Sequence, residues 1–461
     1  MLTTLEKGVK GGPWFSLIDK VYSKRALRSA FAKVKANKGA PGIDHVTIKK
    51  FEMDLDKNLE RLHIDLKDGT YRPQVIRRKY TPKPGKRCEK RPLGIPTVRD
   101  RVVQTALRSV LEPIFEREFA ITSFGFRPQK GCKDALRQVQ YLLREGYSFV
   151  VDADLQNFFD TISHKRLMVE IRQRIADNRV LKLIELFLKQ EVMCGVERWT
   201  PETGSPQGAV ISPLLSHIYL NEQDHLMGAH GFEMVRNADD LVILCKTADE
   251  ANRAYGLLCR WVNSAALVLH PTKTRIGDIS KGGFNFLGYH FLYHFRIVCD
   301  KSIKSLKEKL RKKTRRSRGD SIDTIIKDVN RTLKGWFEYF KHSRPSSFYP
   351  IDGWLRVRLR SILRKQNKLP SGGWGGNNNI RWPNSFFAEH GLFFLADARA
   401  AAKSTRSAVN HRLESRMREN RMSGLEGGEI GKPIFSTPIA DCKINQARMN
   451  YSRARKQMAP G

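Results

Sequence analysis

Apolar and polar positions follow two different spacings in the first third of the chain. From Trp14 to Asn37 the apolar residues recur at helical spacing, which predicts helices ahead of a Gly-Ala-Pro-Gly turn at 39–42. Between Thr70 and Val98 the apolar runs become short and are broken by Pro and Gly, as in strands joined by turns. A further helix is predicted from Asp100 to Phe115. This region therefore mixes helices with inserted strands.

Two apolar strands in the middle of the chain are associated with carboxylates. The run YSFVVD at 147–152 is rich in β-branched and aromatic residues, and a helix is predicted from His164 to Leu188. FEMVR and LVILC flank Asn-Ala-Asp-Asp at 237–240, which predicts a hairpin whose turn carries two carboxylates. Another helix is predicted at 247–266. The order strand, helix, hairpin, helix, strand predicts an α+β fold with an antiparallel sheet backed by helices.

Beyond Phe291 the sequence becomes strongly basic and keeps a helical pattern. RKKTRRSR occupies 311–318 and LRVRLRSILRK occupies 355–365. A Gly- and Asn-rich loop at 370–379 precedes the rest of the C-terminal region. The sequence thus predicts a basic helical domain, a loop, and a separate C-terminal segment.

The charge balance points to a polyanionic partner. The 461 residues include 83 Lys and Arg against 47 Asp and Glu, a net charge of +36, which favours nucleic acid. A hydrophobic content of 40% indicates that these charges decorate folded domains. Seven cysteines without a C-x-x-C pair indicate neither a disulfide framework nor a zinc knuckle. The N-terminus has no secretory pattern and no apolar run reaches membrane-spanning length, so we expect a cytoplasmic protein without membrane segments.

The carboxylates suit phosphoryl transfer. A polymerase needs two divalent ions about 4 Å apart, held by converging oxygen ligands. Asp152 and Asp154 end one predicted strand, and Asp239 and Asp240 lie in the hairpin, so adjacent strands would bring them together. Taken alone, an Asp-Asp pair at a turn is more often simply solvated. Whether these aspartates form a metal site or a solvated turn therefore depends on the segments around them.

Eight segments, in this order, resemble the reverse transcriptases encoded by group II introns. They are KGAPGIDH (38–45), KPGKRCEKRPLGIPTVRDRVVQ (83–104), SFGFRP (123–128), DADLQNFFDTISH (152–164), GSPQGAVISPLLSHIYLNEQD (204–224), NADD (237–240), LHPTKTR (269–275) and FNFLGYHF (284–291). LKGWFEYFK (333–341) and IDGWLRVRLRSILRKQ (351–366) resemble the thumb, or maturase, region of the same family.

The resemblance implies an α+β right-hand polymerase with four regions. Residues 1–145 would form an N-terminal extension and the fingers, with part of the palm at about 75–100. Residues 146–295 would form the palm with the catalytic carboxylates, and 296–369 the helical thumb or maturase domain. Residues 370–461 would form a C-terminal DNA-binding region.

By resemblance, the metal site holds two Mg²⁺ ions, for which Mn²⁺ can substitute. Asp154, Asp239 and the backbone carbonyl of Leu155 would be ligands, and Asp240 would lie near the primer end. Asp152 would be a supporting charge.

The same resemblance assigns the nucleotide and primer contacts. Lys83 and Arg91 would grip the triphosphate, as a point charge and a planar fork respectively. Phe159 would lie beneath the incoming sugar and select dNTPs over rNTPs. Gln207 would contact the nucleotide and template, and Lys273 would protonate the leaving pyrophosphate or contact a phosphate. The primer grip would consist of Phe286, Leu287 and Gly288.

The basic C-terminal half is expected to bind RNA and DNA backbones. The candidate residues are Arg311, Lys312, Lys313, Arg315, Arg316, Arg356, Arg358, Arg360, Arg364 and Lys365. The resemblance names the partners as intron RNA, an RNA template with a DNA primer, target DNA and dNTPs. The family's H-N-H endonuclease with paired cysteines has no match here, since Cys442 alone lies beyond Cys299. We therefore expect no cutting of the second DNA strand.

The chain departs from the family pattern beside the second carboxylate pair. Asn237 stands where the family usually has Tyr, which predicts weakened primer positioning or altered fidelity. Ala209 and His217 replace the usual Gly and Asn and point weakly the same way. Three hypotheses stay open: a polymerase that is also a maturase and supports intron mobility, a splicing factor that has lost polymerisation, and a domesticated reverse transcriptase serving DNA repair or defence.

Overall fold

The computed structural model describes residues 12–82, 90–293, 295–369 and 376–402. Residue contacts divide the chain into two units, Met1–Arg399 and Ala400–Gly461. The first unit contains the elements from Ile18 to Glu389.

The helices of this unit, labelled in chain order, occupy about half of its length. They are α1 Ile18–Tyr22, α2 Lys24–Ala36, α3 Ile48–Met53, α4 Leu55–Asp68, α5 Val98–Glu116, α6 Cys132–Arg144, α7 Phe158–Thr161, α8 His164–Arg172, α9 Asn178–Leu188, α10 Ser212–Ala229, α11 Ala248–Ser264, α12 Ile279–Gly282, α13 Asp300–Lys313, α14 Ile322–Phe340, α15 Tyr349–Gln366, α16 Gly376–Arg381 and α17 Asn384–Glu389. No helix in the described ranges is long and apolar enough to cross a membrane.

The strands form three sheets. They are β1 Ile76–Pro82, β2 Lys90–Ile95, β3 Phe149–Asp154, β4 Val192–Cys194, β5 Glu197–Trp199, β6 Glu233–Asn237, β7 Asp240–Cys245, β8 Arg275–Asp278, β9 Phe284–Phe286, β10 Tyr289–Phe291 and β11 Arg296–Val298. Their orders are β2-β1-β4-β5, β6-β7-β3-β8 and β11-β10-β9. The predicted mixture of helices with antiparallel strands is confirmed, so the fold is α+β.

In the sheet β6-β7-β3-β8, which we call the palm sheet, the central strands β3 and β7 are buried on both faces. Along β3, Val151 and Ala153 belong to a core shared with the N-terminal helices, whereas Val150 belongs to a second core shared with α13–α15. Along β7, Ile243 and Val242 divide between the two cores in the same way. Burial on both faces explains why LVILC is apolar without alternation.

The second core extends past the predicted boundary at residue 370. Trp382, Phe387 and Leu395 are buried in it together with residues of α14 and α15. The carboxylate of Asp352 accepts hydrogen bonds from the backbone N–H groups of Leu395 and Ala396, at 3.1 and 3.0 Å. Residues 382–396 therefore pack in the same core as α13–α15, the helices that we call the thumb.

Candidate active site

Three aspartates lie at the same end of the two central strands of the palm sheet. Asp154 is the last residue of β3, and Asp240, the first residue of β7, lies directly opposite it in the antiparallel register. Asp239 precedes Asp240 in the two-residue turn that joins β6 to β7. Strand pairing, and not proximity in the chain, therefore brings the predicted carboxylates together.

The turn between β6 and β7 has a strained backbone. Ala238 has a φ of +62°, in the left-handed region that residues with a side chain seldom adopt. Two-residue hairpin turns that match strand twist require positive φ at this position, where Gly is usual. A residue held in this way costs about 1–3 kcal/mol. The surrounding structure must hold the turn in place.

Burial and mutual repulsion raise the pKa values of the acidic groups. Loss of hydration, followed by repulsion from neighbouring carboxylates, raises the pKa of Asp240 to about 6, although this side chain opens to solvent on one side. Burial raises the pKa of Asp152 to about 6, and Arg275, whose Nε lies 3.7 Å from its Oδ2, opposes that rise. Burial also raises the pKa of Asp239. The protein therefore supplies too little positive charge for this cluster.

Two predicted cations reach the carboxylates. Lys273 Nζ donates a hydrogen bond to Asp154 Oδ2. Arg91 on β2 and Lys273 both act to lower the pKa of Asp239 against the effect of burial. The structure thus places both at the candidate site, whereas Lys83 lies outside the described residues.

The donor set at this end of the central strands suits a hard divalent cation. Asp154, Asp239 and the carbonyl of Leu155 offer only oxygen atoms, which Mg²⁺ and Mn²⁺ prefer. Within the described part of the chain, no three His, Cys, Asp or Glu side chains stand close enough to hold an ion as they are. Lys273 is paired with Asp154. The residues therefore fit the cation chemically.

Phe159 and Gln207 line one pocket of about 420 Å³ between α7, the sheet β2-β1-β4-β5 and the segment before α10. Their segments are joined directly, since Ser205 N–H donates to the Phe159 carbonyl at 2.6 Å. Gly208 has a φ of +105°, and a Cβ there would lie 2.5 Å from the Gly94 carbonyl oxygen. Glycine is therefore required at position 208, because the segment before α10 approaches β2 closely there.

The predicted primer grip is a tight turn tied to the thumb. Leu287 and Gly288 join β9 to β10 with φ values of +48° and +82°, and positive φ at both positions is typical of a type I′ hairpin. The Tyr339 hydroxyl donates to the Leu287 carbonyl at 2.9 Å. Ser302 Oγ donates to the Gly288 carbonyl at 3.1 Å. Phe286, just before the turn, is buried, so what this grip presents is its backbone turn.

Two of the predicted nucleic-acid contacts are engaged inside the protein. Arg360 is buried, and its guanidinium donates to the Trp382 carbonyl at 2.9 Å and to Asn384 Oδ1 at 3.1 Å. Arg358 Nε donates to Thr314 Oγ1 at 2.7 Å. Their hydrogen bonds join α15 to neighbouring segments, so neither arginine belongs to the proposed nucleic-acid-binding surface.

The remaining basic candidates divide by exposure. Lys313 is paired with Asp328 at 2.6 Å and also serves the fold. Trp354 is half-buried and has the cationic groups of Lys307 and Arg311 over its ring at 5.4 and 5.6 Å. The exposed or half-buried candidates are Arg311, Lys312, Arg315, Arg316, Arg356, Arg364 and Lys365.

Sequence reasoning missed the groups that support the hairpin. Arg236 and Asp224 form a fully buried ion pair next to the turn. A Cβ on Gly125 would lie 2.6 Å from the Ala238 nitrogen, and His217 Nε2 donates to the Gly125 carbonyl. Charged residues inside apolar segments such as FEMVR were the available signal.

Asn237, the last residue of β6, is half-buried. Its Oδ1 accepts a weak hydrogen bond from Cys132 Sγ at 3.6 Å. The Cys132 thiol also interacts with Tyr339, whose hydroxyl reaches the primer-grip turn. The residue that departs from the family pattern therefore lies in a packed junction between palm and thumb.

Comparison with known proteins assigns the chain to a family. Residues 81–291 match the family model described as reverse transcriptase (RNA-dependent DNA polymerase), and 303–382 match the group II intron maturase-specific domain. Protein YkfC of Escherichia coli K12 is 34% identical over 56% of this chain and 77% of its own length.

Two further similarities are more partial. The group II intron-encoded protein LtrA of Lactococcus lactis subsp. cremoris is 39% identical over 42% of this chain, and the match spans 32% of that protein. A chain of a partial Cas6-RT-Cas1–Cas2 complex has a TM-score of 0.34 and 23% identity, over 54% of this chain and 41% of that one. From the two family models and the coverage of YkfC, this chain belongs to the reverse transcriptases that carry a group II intron maturase domain.

Proposed function

We propose that this chain is an RNA-directed DNA polymerase that also binds intron RNA to assist splicing and mobility by target-primed reverse transcription. The observation that carries the proposal is that Asp154, Asp239 and Asp240 lie at the same end of the central strands of the palm sheet. Their negative charges are not balanced by nearby cations, because the pKa of Asp240 is raised. Family membership supports the reaction type.

In the proposed reaction the chain's residues bind, orient and move protons. Asp154, Asp239 and the Leu155 carbonyl would hold two Mg²⁺ ions, which when bound would activate the primer 3′-hydroxyl and stabilise the leaving pyrophosphate. Arg91 would contact the triphosphate. Lys273, once released from Asp154, would contact the leaving phosphates or protonate them. Lys273 would thus be paired with Asp154 before the cation binds and with the phosphates afterwards.

The pocket at Phe159 supports a role in sugar selection. Phe159 forms one wall of the same pocket as Gln207, and its ring packs against Phe158 at a centroid distance of 5.3 Å. A ring fixed in this way would collide with a ribose 2′-hydroxyl, so the site would take dNTPs. Gln207 would contact the incoming nucleotide and the template.

The thumb supports a binding role that does not depend on the palm chemistry. Its exposed cations would contact RNA or primer-template phosphates, and Trp354 with its flanking cations offers a ring for stacking. Together with the C-terminal region, this surface would hold intron RNA and target DNA.

Primer extension on an RNA template with a DNA primer tests the proposal. The wild type should extend the primer in Mg²⁺, and Asp239→Ala should abolish extension because a metal ligand is lost. Asp249→Ala, which removes an exposed carboxylate at the start of α11, is the matched control and should extend normally. Extension that survives Asp239→Ala would overturn the proposed site.

Asn237 favours a second candidate function, a maturase that binds RNA but has lost polymerisation. An inactive wild type that still promotes splicing of its intron would establish it. A domesticated role in repair or defence shares the same active-site residues, and a gene located outside any intron would distinguish it.

A further inference from the structure

A buried ion pair lies beneath the strained turn that carries Asp239. The side chains of Arg236 on β6 and Asp224 on α10 are both fully buried, at 0% exposure. Arg236 Nε donates to Asp224 Oδ1 at 2.7 Å, and Nη2 donates to Oδ2. Removing both charges from water is costly, so an apolar pair could serve stability equally well. The pair therefore calls for a role beyond stability.

The same guanidinium holds the turn. Arg236 Nη1 donates a hydrogen bond to the Ala238 carbonyl oxygen at 3.0 Å. That carbonyl belongs to the peptide group whose nitrogen is Asp239, so its orientation sets the direction in which the Asp239 side chain leaves the backbone. Asp224 fixes the guanidinium through two hydrogen bonds, and the guanidinium fixes the peptide plane.

A second contact closes the other side of the turn. Gly125 packs so closely that a Cβ would lie 2.6 Å from the Ala238 nitrogen. The Gly125 carbonyl accepts a hydrogen bond from His217 Nε2, while Ser123 Oγ lies 3.3 Å from His217 Nδ1. Burial, followed by repulsion from Arg236, lowers the pKa of His217 to about 2, so the ring is neutral. Its Nδ1 lone pair therefore faces the Arg236 guanidinium at 3.4 Å.

We propose that Arg236 and Asp224 are positioning residues for Asp239, because their ion pair holds the Ala238 peptide in the strained conformation that aims Asp239 at Asp154. Asp224 acts only through Arg236 and touches neither substrate nor metal. The catalytic part of this inference rests on the proposed polymerase function. Its metal-binding part does not.

A purely structural role makes a different prediction from a positioning role. In Asp224→Asn the guanidinium loses its buried counter-charge, so the protein should become less stable under either role. In the double variant Asp224→Leu with Arg236→Met both charges are gone and apolar side chains fill the site, so thermal stability should return close to that of the wild type. Only a positioning role leaves the double variant defective.

The experiment measures kcat, the KM values and the melting temperature of the full chain. For the double variant we expect kcat to fall about a hundredfold, the cost of misplacing a reacting group by about 1 Å, with the KM for primer-template unchanged. Ile184→Ala, which opens a cavity in α9 at a position distant in sequence from the hairpin, is the control and should lose stability but keep kcat. A double variant with wild-type stability and wild-type kcat would overturn the proposal.

Mn²⁺ binding, followed by electron paramagnetic resonance of free Mn²⁺, provides a readout without nucleotide. The double variant should bind Mn²⁺ about tenfold more weakly, as expected when a group that orients a ligand is removed. If the wild type fails to extend primers but binds Mn²⁺ more tightly than the double variant, the proposed function fails and this inference stands. Equal Mn²⁺ affinity in the two proteins would contradict the inference.

Discussion

The aspartate end of the palm sheet and the basic surface of the thumb both concentrate charge, but they fix it by different means. At the aspartate end, strand register sets the positions of Asp154 and Asp240, so a shift of one residue would turn either side chain to the other face. On the thumb, cations such as Arg315 and Arg316 are exposed and few contacts constrain them. Catalysis at the palm therefore depends on single residues, whereas nucleic-acid binding by the thumb is distributed over several cations.

The largest expected effect separates chemistry from binding. Asp154→Asn keeps the size of the side chain but removes a metal-binding charge, so primer extension should fall about a thousandfold, on the scale of the several kcal/mol that metal catalysis supplies. RNA affinity, measured by filter binding, should stay within about twofold of the wild type because the thumb is untouched. A parallel loss of RNA affinity would show that the two regions are not separable.

A second substitution tests the cations that point inward. Arg360→Met should lower the free energy of unfolding by about 1–3 kcal/mol, because the Trp382 carbonyl and Asn384 lose their buried donor. Denaturant unfolding measures this change. Lys365→Met, on the exposed side of the same helix, is the control and should unfold like the wild type. If Lys365→Met were the more destabilised of the two, the assignment of Arg360 to the interior would be wrong.

Exposed thumb cations should act in proportion to their number. Arg315→Ala with Arg316→Ala should weaken RNA binding and reduce the slope of log affinity against log salt by about 2, roughly one for each lost phosphate contact. The control replaces Lys49 and Lys50, two adjacent exposed cations on α3. An equal change in the control would mean that binding is spread over the whole basic surface.

The smallest expected effect concerns Asn237. Asn237→Tyr should raise the primer-extension rate about threefold, which is about 0.6 kcal/mol, since a ring near the primer end improves its placement. Because Cys132 Sγ lies 3.6 Å from Asn237 Oδ1, the ring needs room, and adding Cys132→Ala should increase the gain. Rates equal to the wild type in both variants would reject the idea that Asn237 limits catalysis.

The fold class and the order of the palm strands followed from sequence, but long-range pairing did not. The predicted strand near Asp154, the hairpin at Asp239 and the helix after the hairpin are present, because short apolar runs indicate strands and helical spacing indicates helices. The single helix predicted from His164 to Leu188 is wrong, since the segment forms two helices, His164–Arg172 and Asn178–Leu188. By contrast, β1 pairs in parallel with β4, and this contact between distant segments leaves no local signal. The sequence also could not show that residues 382–396 pack in the core of the thumb, because the Gly-rich stretch before them suggested a boundary.

The site was predictable in its chemistry and less so in its supports. The ordered segments pointed to Asp154, Asp239, Arg91 and Lys273, and all four lie together in the structure. Arg360 looked like its basic neighbours because a helix with many cations does not reveal which of them turns inward. Arg236 could not be predicted as a supporting residue, because a single charged residue in a strand forms no repeating pattern.

The double-sided burial of the palm sheet also has a kinetic consequence. β3 and β7 are central strands covered by a core on each face, so their amide hydrogens should exchange with solvent only when the whole unit unfolds. Val151 and Ile243, which face each other across the two strands, should be among the last to take up deuterium. The carboxylates are thus attached to the strands that we expect to open most slowly.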